Sequence, residues 1–268
     1  MKEGESSFTV RPIGFVRSAR RAKFDAPNQP QPEAEEVNLI ELLPTPEIAL
    51  GLSDLAGFDR IWVVSWFDRN LGWRPRVLPP RGPAKRRGVF ATRAPHRPNP
   101  IGLTSTPLLG IEGTTLEVGP LDLLDGTPVL DIKPYLHTVD AHPESSLGWV
   151  AEVEAMERDA PSYRVEVAPK AQDDLDWLQT EWDVDFMPRA LQILTRDPQP
   201  HRTRRIVPMP DGRLRLACGP WRLFYRLDHD VVRVEEVGQG YSDEALQKAD
   251  AVDREAQIAF RLRAKRLI

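Results

Sequence analysis

The sequence predicts a mostly β N-terminal barrel domain at residues 1–143 and a smaller α+β C-terminal domain at residues 150–268 that ends in an amphipathic helix. Two observations predict a mostly β domain, built as a barrel or a sandwich: the N-terminal half holds many short runs of β-branched and aromatic residues, and Gly and Pro turns separate these runs. A third observation places the boundary. Residues 143–146 read as a linker, and after them apolar residues recur at helical spacing before a second group of strands.

The first elements of the N-terminal domain follow one another closely. Residues 8–17 read as an extended edge segment, and residues 37–43 and 61–67 read as strands because they are rich in β-branched and aromatic side chains. Between these two strands the pattern predicts one short helix, with Ser53 or Asp54 as its N-cap.

The series continues with strands at residues 103–111 and 114–118, which the Glu112-Gly113 turn joins as a hairpin. Residues 89–91 and 129–132 are further short β-rich pieces. All of these runs are short, as the strands of a small barrel are.

In the C-terminal domain, residues 173–182 and 186–194 carry apolar side chains at helical spacing. Three strands at residues 213–217, 221–227 and 231–237 follow these helices. The chain then ends in an amphipathic helix capped by Ser242, with one apolar stripe formed by Leu246, Ala249, Val252, Ala256 and Phe260.

The composition excludes several classes of protein. No apolar run approaches the roughly 18 residues that a membrane span needs, and the N-terminal MKEGESSF has no apolar core of a secretory signal, so we expect a cytoplasmic protein without a membrane segment. The single cysteine, Cys218, lies in an apolar run and reads as a small buried thiol. There is no GxGxxG, P-loop, HExxH or paired CxxC motif, and we predict no metal site.

Two neighbouring segments carry most of the candidate chemistry. Residues 88–103 (GVFATRAPHRPNPIGL) offer only positive or neutral donors, whereas residues 119–137 (GPLDLLDGTPVLDIKPYLH) supply carboxylates followed by Lys133 and Tyr135. Rigid turns beside strand ends are a common place for binding sites, and this pairing suits a ligand that bears both signs of charge. The alternative is that the prolines and glycines only turn strands while the charges face water.

Positive charge is concentrated in one part of an acidic chain. The net charge is −4, yet residues 69–97 hold nine Lys or Arg residues and no Asp or Glu. A local basic surface can bind nucleic-acid phosphate on an acidic protein, although a solvated loop is the plainer alternative. The predicted RNA contacts are Arg74, Arg76, Arg81, Arg86, Arg87 and Arg97, with Arg202, Arg204 and Arg205 in the second domain.

Several long motifs together resemble one known family. PIGFVRS, GLSDLAGFDRIWVVSWF, GWRPRVLPPR, GVFATRAPHRPNPIGLT and DLLDGTPVLDIKPYL are similar to the TrmO family, also called TsaA-like, of S-adenosylmethionine-dependent tRNA methyltransferases. This resemblance implies a β-barrel that binds S-adenosylmethionine without a Rossmann fold, in a homodimer. It implies N6-methylation of threonylcarbamoyladenosine, the nucleotide 3′ to the anticodon of threonine tRNA.

The resemblance also implies a set of site residues. Carried over position by position, the cofactor contacts fall on Pro27, Asn28, Gln29, Asp68, Arg69, Arg93, Leu103, Asp122, Leu123, Leu124 and Asp125. Two positions depart from the family pattern, since Asn28 stands where Arg is common and Asp68 where His is common.

The catalytic candidates follow from the chemistry that the resemblance implies. The acceptor nitrogen has a delocalised lone pair and must lose a proton, so Asp131 and Tyr135 are candidates for the base or for a group that orients the acceptor. Lys133 is a candidate for offsetting the developing negative charge or for binding the threonyl carboxylate. A plain structural strand is the alternative for this segment. Two rival functions stay open: a non-catalytic sensor that binds S-adenosylmethionine or a nucleotide, and a methyltransferase with another RNA or small-molecule acceptor.

Overall fold

The computed structural model describes residues 8–20, 36–70, 72–159, 162–201, 205–247 and 251–266, with side chains described as far as residue 263. The chain divides into two compact units. The first contains the described residues up to Val77 together with Arg86–Ser145, and the second contains Leu78–Lys85 and the described residues from Ser146 onward. The domain boundaries drawn from the sequence stay a prediction.

The first unit is built around a closed barrel. Its strands are joined in the order β1-β2-β7-β6-β3-β8, and every neighbouring pair is antiparallel. The elements of this unit are β1 (Gly14–Arg17), β2 (Asn38–Leu42), α1 (Pro46–Gly51), β3 (Arg60–Trp66), β4 (Arg76–Val77), β5 (Arg87–Gly88), β6 (Ile101–Glu112), β7 (Thr115–Val118), β8 (Pro128–Pro134) and α2 (His137–Asp140). Strands β4 and β5 form a separate two-stranded ribbon.

Alternation along the strands fills the barrel. In β3, for example, Ile61 and Val63 are fully buried while Trp62 and Val64 are only partly so, as the two-residue period of a strand requires. The core that results contains Val16, Ile40, Leu42, Ile61, Val63, Leu116, Val118, Leu121, Leu123 and Val129.

At the start of strand β6 the apolar side chains point to the outside of the barrel and the polar ones to the inside. Its apolar side chains Ile101 and Leu103 are 44% and 57% exposed, whereas Thr104 and Thr106 are buried. Gly102 also faces inward, and a Cβ atom there would lie 2.4 Å from Ser65 Oγ, so only glycine fits. The strand therefore presents hydroxyl groups to the interior and an apolar strip to the outside.

Two local predictions for the first unit are wrong. The short helix α1 begins after Thr45, whose hydroxyl accepts from the Ile48 N–H, whereas Asp54 precedes only a single 3₁₀ turn, Leu55–Gly57, and makes no side-chain capping bond there. Residues 89–91 form a single 3₁₀ turn instead of a strand, with the Thr92 N–H bonded to the Val89 carbonyl.

The second unit is a five-stranded sheet with helices, in the strand order β10-β11-β12-β13-β9. All pairs are antiparallel except β13 with β9, which are parallel. The elements are α3 (Trp149–Asp159), β9 (Arg164–Val167), α4 (Pro169–Trp182), α5 (Met187–Leu194), β10 (Ile206–Pro208), β11 (Leu214–Cys218), β12 (Trp221–Asp228), β13 (Val231–Gln239), α6 (Asp243–Leu246) and α7 (Arg254–Arg266).

The core of the second unit is aromatic. Trp221 and Tyr225 of β12 are buried, Phe260 of α7 packs edge-on against Trp221, and the Tyr225 hydroxyl donates to the Pro198 carbonyl at 2.6 Å. Cys218 is 4% exposed, and burial raises the pKa of its thiol to about 12. The thiol is therefore not a nucleophile at neutral pH, and the prediction of a small buried side chain is confirmed.

The overall class, a β barrel followed by a smaller α+β region, is confirmed, but the end of the chain differs from its prediction. The structure divides the predicted terminal helix into α6, capped by the Ser242 hydroxyl, and α7. Asp253, at the start of α7, has a left-handed backbone and accepts from the Trp221 indole N–H. None of the described helices is both long enough and apolar enough to cross a membrane.

Candidate active site

The segment at residues 119–127 connects β7 to β8 and is held from several sides. Asn38 Nδ2 donates to the Gly119 carbonyl at 3.1 Å, and Thr106 Oγ1 donates to the Pro120 carbonyl at 3.2 Å. Leu121 and Leu123 are buried in the barrel core. This arrangement fixes Asp122, which lies between the two leucines.

Asp122 is the central group of this segment. Its Oδ1 accepts from Thr104 Oγ1 at 2.6 Å. Burial raises the pKa of the Asp122 carboxyl, while the Thr104 hydrogen bond, the Asp122 backbone N–H and the charges of Arg93 and Arg20 act in the opposite direction. Asp122 is thus a shielded carboxyl group near two guanidinium groups, suited to holding a cation or a hydroxyl group.

Asp125 lies at the end of the same segment and is held mainly through its backbone. Its N–H donates to the Arg20 carbonyl at 2.7 Å, and its carbonyl accepts from Arg69 Nη2, also at 2.7 Å. Its carboxylate accepts from the Ser18 N–H at 3.2 Å. Arg20 in turn pairs with Glu36 and donates to the Leu121 carbonyl at 2.6 Å.

The structure therefore brings together four of the predicted cofactor contacts: Arg69, Arg93, Asp122 and Asp125. Leu103 is exposed on the outer side of β6, next to Thr104. Leu124 is half-buried, whereas the Leu123 side chain packs in the barrel core. Asp68 is exposed. Residues 27–29, with the predicted contacts Pro27, Asn28 and Gln29, lie outside the described residues.

Two of the catalytic candidates, Asp131 and Lys133, lie on β8, and the third, Tyr135, directly follows that strand. Lys133 Nζ pairs with Asp131 Oδ2 at 2.9 Å, and both side chains are about half exposed or more, at 65% and 47%. The Tyr135 ring packs against Trp62 with centroids 5.6 Å apart. Among the described residues, Asp131 and Lys133 pair with each other and not with the residues around Asp122.

Sheet register connects these candidates to Leu103. Asp131 of β8 lies opposite Val64 of β3, and Val64 lies opposite Leu103 of β6. Because adjacent strands are about 4.8 Å apart, Leu103 and Asp131 are roughly 10 Å apart across one face of the barrel. The exposed Leu103 side chain and the Asp131 carboxylate, which pairs with Lys133, thus lie in one cross-strand row on the outside of the barrel.

A second pair of contacts fixes the end of β8. Asp140 Oδ2 accepts from the Trp62 indole N–H at 3.0 Å and from the Leu136 N–H at 2.9 Å, and these bonds lower the pKa of Asp140. The hydrogen bond to Asp140 therefore fixes the Trp62 ring, against which the Tyr135 ring packs. The part of the chain that the structure describes contains no group of three or more His, Cys, Asp or Glu side chains placed to hold a metal ion.

The basic segment at residues 74–97 is a set of short ordered turns. Arg76 Nη2 donates to the Arg86 carbonyl at 2.9 Å across the β4-β5 ribbon. Arg97 donates to the Thr92 carbonyl at 2.8 Å, and its guanidinium lies 5.6 Å from the centroid of the exposed Phe90 ring. These carbonyl bonds hold the guanidinium groups without neutralising them.

Arg81 differs from Arg76 and Arg97, whose guanidinium groups bond to carbonyl oxygens. It belongs to the second unit, and its guanidinium pairs with Glu157 at 2.6 Å and more distantly with Glu154. Its charge is therefore already balanced. Arg74 is exposed and Arg87 half-buried, Arg205 is exposed with a positive φ of 59°, and Arg202 and Arg204 lie outside the described residues.

Sequence reasoning missed four residues of this site: Ser18, Arg20, Glu36 and Thr104. One signal was present for Thr104, because threonine recurs every second residue along β6 and marks a polar inward face. Ser18 and Arg20 reach the segment at residues 119–127 only through the barrel fold, and Glu36 is connected to it only by its pair with Arg20.

Comparison with known proteins gives consistent results. The family described as the tRNA-methyltransferase O N-terminal domain matches residues 15–141. A tRNA (adenine(37)-N6)-methyltransferase of Escherichia coli strain K12 is 38% identical over 169 residues, which cover 60% of this chain and 72% of that protein. A probable S-adenosyl-L-methionine-binding protein of Archaeoglobus fulgidus is 42% identical over 143 residues, covering 53% of this chain but only 38% of the relative.

Similarity to solved structures extends over more of the chain. The crystal structure of TrmO from Pseudomonas aeruginosa matches with a TM-score of 0.53 and 31% sequence identity. The match covers 87% of this chain and 99% of that one, so it includes residues of both units.

Proposed function

This chain belongs to the TrmO family of S-adenosylmethionine-dependent tRNA (adenine(37)-N6)-methyltransferases, and from that premise we propose that its acceptor is N6-threonylcarbamoyladenosine at position 37 of threonine tRNA. The observation that carries the proposal is the shielded Asp122 carboxyl, which accepts from Thr104 and lies within the electrostatic influence of Arg93, while Asp131 and Lys133 form a separate ion pair on β8. One cluster suits the methyl donor and the other suits a charged acceptor.

The residues around Asp122 fit S-adenosylmethionine by their chemistry. The cofactor carries an ammonium group, a sulfonium, ribose hydroxyls and a carboxylate, and when bound it supplies an electrophilic methyl group. We assign Asp122 to a cationic or hydroxyl group and Arg93 to the carboxylate, since charge-assisted bonds of this kind are strong. The exposed Leu103 side chain offers an apolar contact.

The chemistry of the acceptor suits Asp131 and Lys133 on β8 and Tyr135 directly after it. N6 of threonylcarbamoyladenosine must lose its proton as the new bond to carbon forms, and Asp131 is our candidate for accepting or directing that proton. The Lys133 ammonium, which pairs with Asp131 at 2.9 Å, can turn to bind the threonyl carboxylate. Tyr135, packed on the anchored Trp62, can orient the acceptor base.

The basic segment is our proposed grip on the anticodon arm. Anticodon-loop bases are partly unstacked, so little energy is needed to present position 37, and the stem phosphates need positive partners. We assign the proposed contacts to Arg74, Arg76, Arg86, Arg87, Arg97, Arg202, Arg204 and Arg205. We leave out Arg81 because Glu157 engages its guanidinium.

We further propose that the chain acts as a homodimer in the cytoplasm. The exposed Ile101 side chain at the start of β6 gives a second copy an apolar contact to cover. One observation favours a different function: Asp68 and Asn28 depart from the family pattern, as they would in a sensor that binds the cofactor without transferring methyl groups.

Methyl transfer from labelled S-adenosylmethionine to two samples of threonine tRNA tests the proposal. One sample carries the threonylcarbamoyl group and the other lacks it. Label in the first sample alone supports the proposed acceptor. Label in both samples points to a broader acceptor, and cofactor binding without label in either points to the sensor.

A further inference from the structure

One face of the C-terminal sheet is covered and the other is open. On β11 and β12, Leu216 and Leu223 are buried in the core with the helices, whereas Arg215 and Arg222, which alternate with them, are only partly buried. Successive side chains of a strand point to opposite faces. The open face therefore carries the arginines.

Most arginines on or beside this face are paired with carboxylates. Arg213 bonds to Glu236 at 2.7 Å and to Asp211 at 2.6 Å. Arg226 pairs with Glu235, and Arg233 with Glu166. These charges are balanced within the unit.

Arg205, Arg215 and Arg222 are different, because no carboxylate lies within ion-pair distance of them in the part of the chain that the structure describes. Ala217 lies opposite Arg222 in the strand pair, and its N–H donates to the Arg205 carbonyl at 3.2 Å. Arg215 precedes Ala217 by two residues and so shares its face. A small side chain thus lies among three guanidinium-bearing residues.

The two inner arginines of this group are held in place and remain charged. Arg222 Nη1 donates to the Gly219 and Trp221 carbonyls at 2.9 and 2.7 Å, and Nη2 donates to the Gly240 carbonyl. A Cβ atom on Gly240 would lie 2.4 Å from that guanidinium, so the glycine makes room for it. Arg215 Nε is shielded from solvent and has no hydrogen-bond partner among the described residues.

Keeping like charges together in this way costs free energy. The pKa of Arg222 is lowered, first by burial and then by the charges of Arg215 and Arg205. An unpaired buried donor such as Arg215 Nε carries a further cost. A bound oxyanion would offset both costs, because it supplies negative charge and several hydrogen-bond acceptors.

We propose that Arg205, Arg215 and Arg222 form a phosphate-binding site, centred on Ala217, for the sugar–phosphate backbone of the tRNA substrate. The inference rests on the proposed function, since it takes tRNA as the ligand. It adds Arg215 and Arg222 to the RNA contacts that we propose for the second unit.

Two variants and a matched control test this proposal in the full chain. Arg215→Gln removes one charge and keeps a polar side chain. Ala217→Asp places a carboxylate among the guanidinium groups, where opposite charges on neighbouring strands attract. Arg233→Gln is the control, because it removes an arginine from the same face that Glu166 already balances.

The measurements are the Kd for threonylcarbamoylated tRNA as a function of salt, the Kd for S-adenosylmethionine and the Tm. Arg215→Gln should weaken tRNA binding about tenfold, the effect of one lost charge-assisted hydrogen bond. It should also reduce the magnitude of the slope of log K against log salt by about 0.7 to 0.9. Ala217→Asp should weaken tRNA binding while raising the Tm, and Arg233→Gln should leave the salt slope unchanged.

The outcomes separate this inference from the proposed function. Wild-type tRNA affinity and salt slope in both Arg215→Gln and Ala217→Asp would overturn the site, even if the wild-type protein methylates its tRNA. Inorganic phosphate is the second probe. If it binds the wild-type chain without weakening tRNA binding, the site binds a free anion and the proposal of a tRNA contact is overturned. If the wild-type protein shows no methyl transfer but its tRNA binding still depends on Arg215, the proposed activity is overturned. The proposed phosphate-binding site is then retained.

Discussion

Replacing Asp122 by Asn should stabilise the fold and weaken cofactor binding at the same time. The Asn side chain keeps an oxygen that can accept from Thr104 Oγ1, so the 2.6 Å hydrogen bond has a substitute. What disappears is the negative charge, which burial makes costly, as the raised pKa of Asp122 shows. The structural role and the proposed binding role of this residue therefore predict effects of opposite sign.

The magnitude of the binding effect follows from the bond that is lost. A hydrogen bond to a charged group contributes about 1.5–3 kcal/mol, which corresponds to a roughly ten- to hundredfold increase in Kd for S-adenosylmethionine. Calorimetric titration of the cofactor measures this change directly. Glu117→Gln is a matched control, because Glu117 is an exposed carboxylate on β7 of the same barrel.

The pH dependence has a definite sign. Because the pKa of Asp122 is raised in the folded protein above the ordinary value of about 3.9, the folded state binds the proton more tightly than the unfolded state. Ionised Asp122 therefore lowers stability at neutral pH, and this loss disappears as the pH falls to the ordinary value. The Tm advantage of Asp122→Asn should shrink over the same range.

Cofactor affinity should change in the opposite direction. Protonation of Asp122 removes the charge that we assign to the cofactor, so wild-type affinity should fall as the pH is lowered, with a midpoint above that of an ordinary Asp. The Asp122→Asn protein should lack this midpoint. An unchanged Kd in Asp122→Asn, or an unchanged pH profile, would refute the role of Asp122 in binding.

Three further predictions concern other parts of the structure. Asp131→Asn or Tyr135→Phe should lower kcat for tRNA methylation by about 10²-fold without changing the Kd for S-adenosylmethionine, and two folded variants with wild-type kcat would exclude both residues from catalysis. Gly14→Ala should lower the free energy of unfolding by about 1–3 kcal/mol in a denaturant titration, because its Cβ would lie 2.4 Å from a carbonyl oxygen of β2; an unchanged midpoint would contradict that close approach. Arg81→Ala should change the free energy of unfolding by less than about 1 kcal/mol and leave the Kd for tRNA unchanged, since Glu157 pairs with this partly exposed side chain, whereas weaker tRNA binding would show that Arg81 reaches the RNA.

The barrel strands could be predicted because their signal is local. The buried residues Ile61 and Val63 alternate with less buried neighbours in β3, and this period of two is visible in the sequence. Strand β6 shows the limit of the method. Leu103 is exposed and Thr104 is buried, so the alternation is readable, but which face points inward depends on the segment at residues 119–127 that the threonine binds.

Elements without a local signal were missed. Helix α3 buries a single apolar residue, Val153, so its helical period is weak. Strand β9 is four residues long and gains its hydrogen bonds only by parallel pairing with β13, which the sequence of neither strand indicates. The terminal helix was overextended because its apolar stripe continues through residues at which the backbone turns.

The candidate site likewise combines residues that the sequence alone could select and contacts that only the fold creates. The carboxylates and arginines could be selected by residue type, but Ser18 contacts Asp125 across 107 positions of the chain, and the grouping of Arg205 with Arg222 depends on the register of β11 and β12. Register is decided by the whole barrel or sheet and not by the segment itself.

The burial of Leu121 and Leu123 has a consequence for motion. Because these two side chains flank Asp122 and belong to the barrel core, the segment that carries the carboxylate cannot swing open without exposing that core to water. The cofactor must therefore enter and leave without any movement of the segment at residues 121–123. Amide hydrogen exchange at residues 121–123 should then be as slow as global unfolding of the barrel, while the exposed turns around Arg93 exchange quickly.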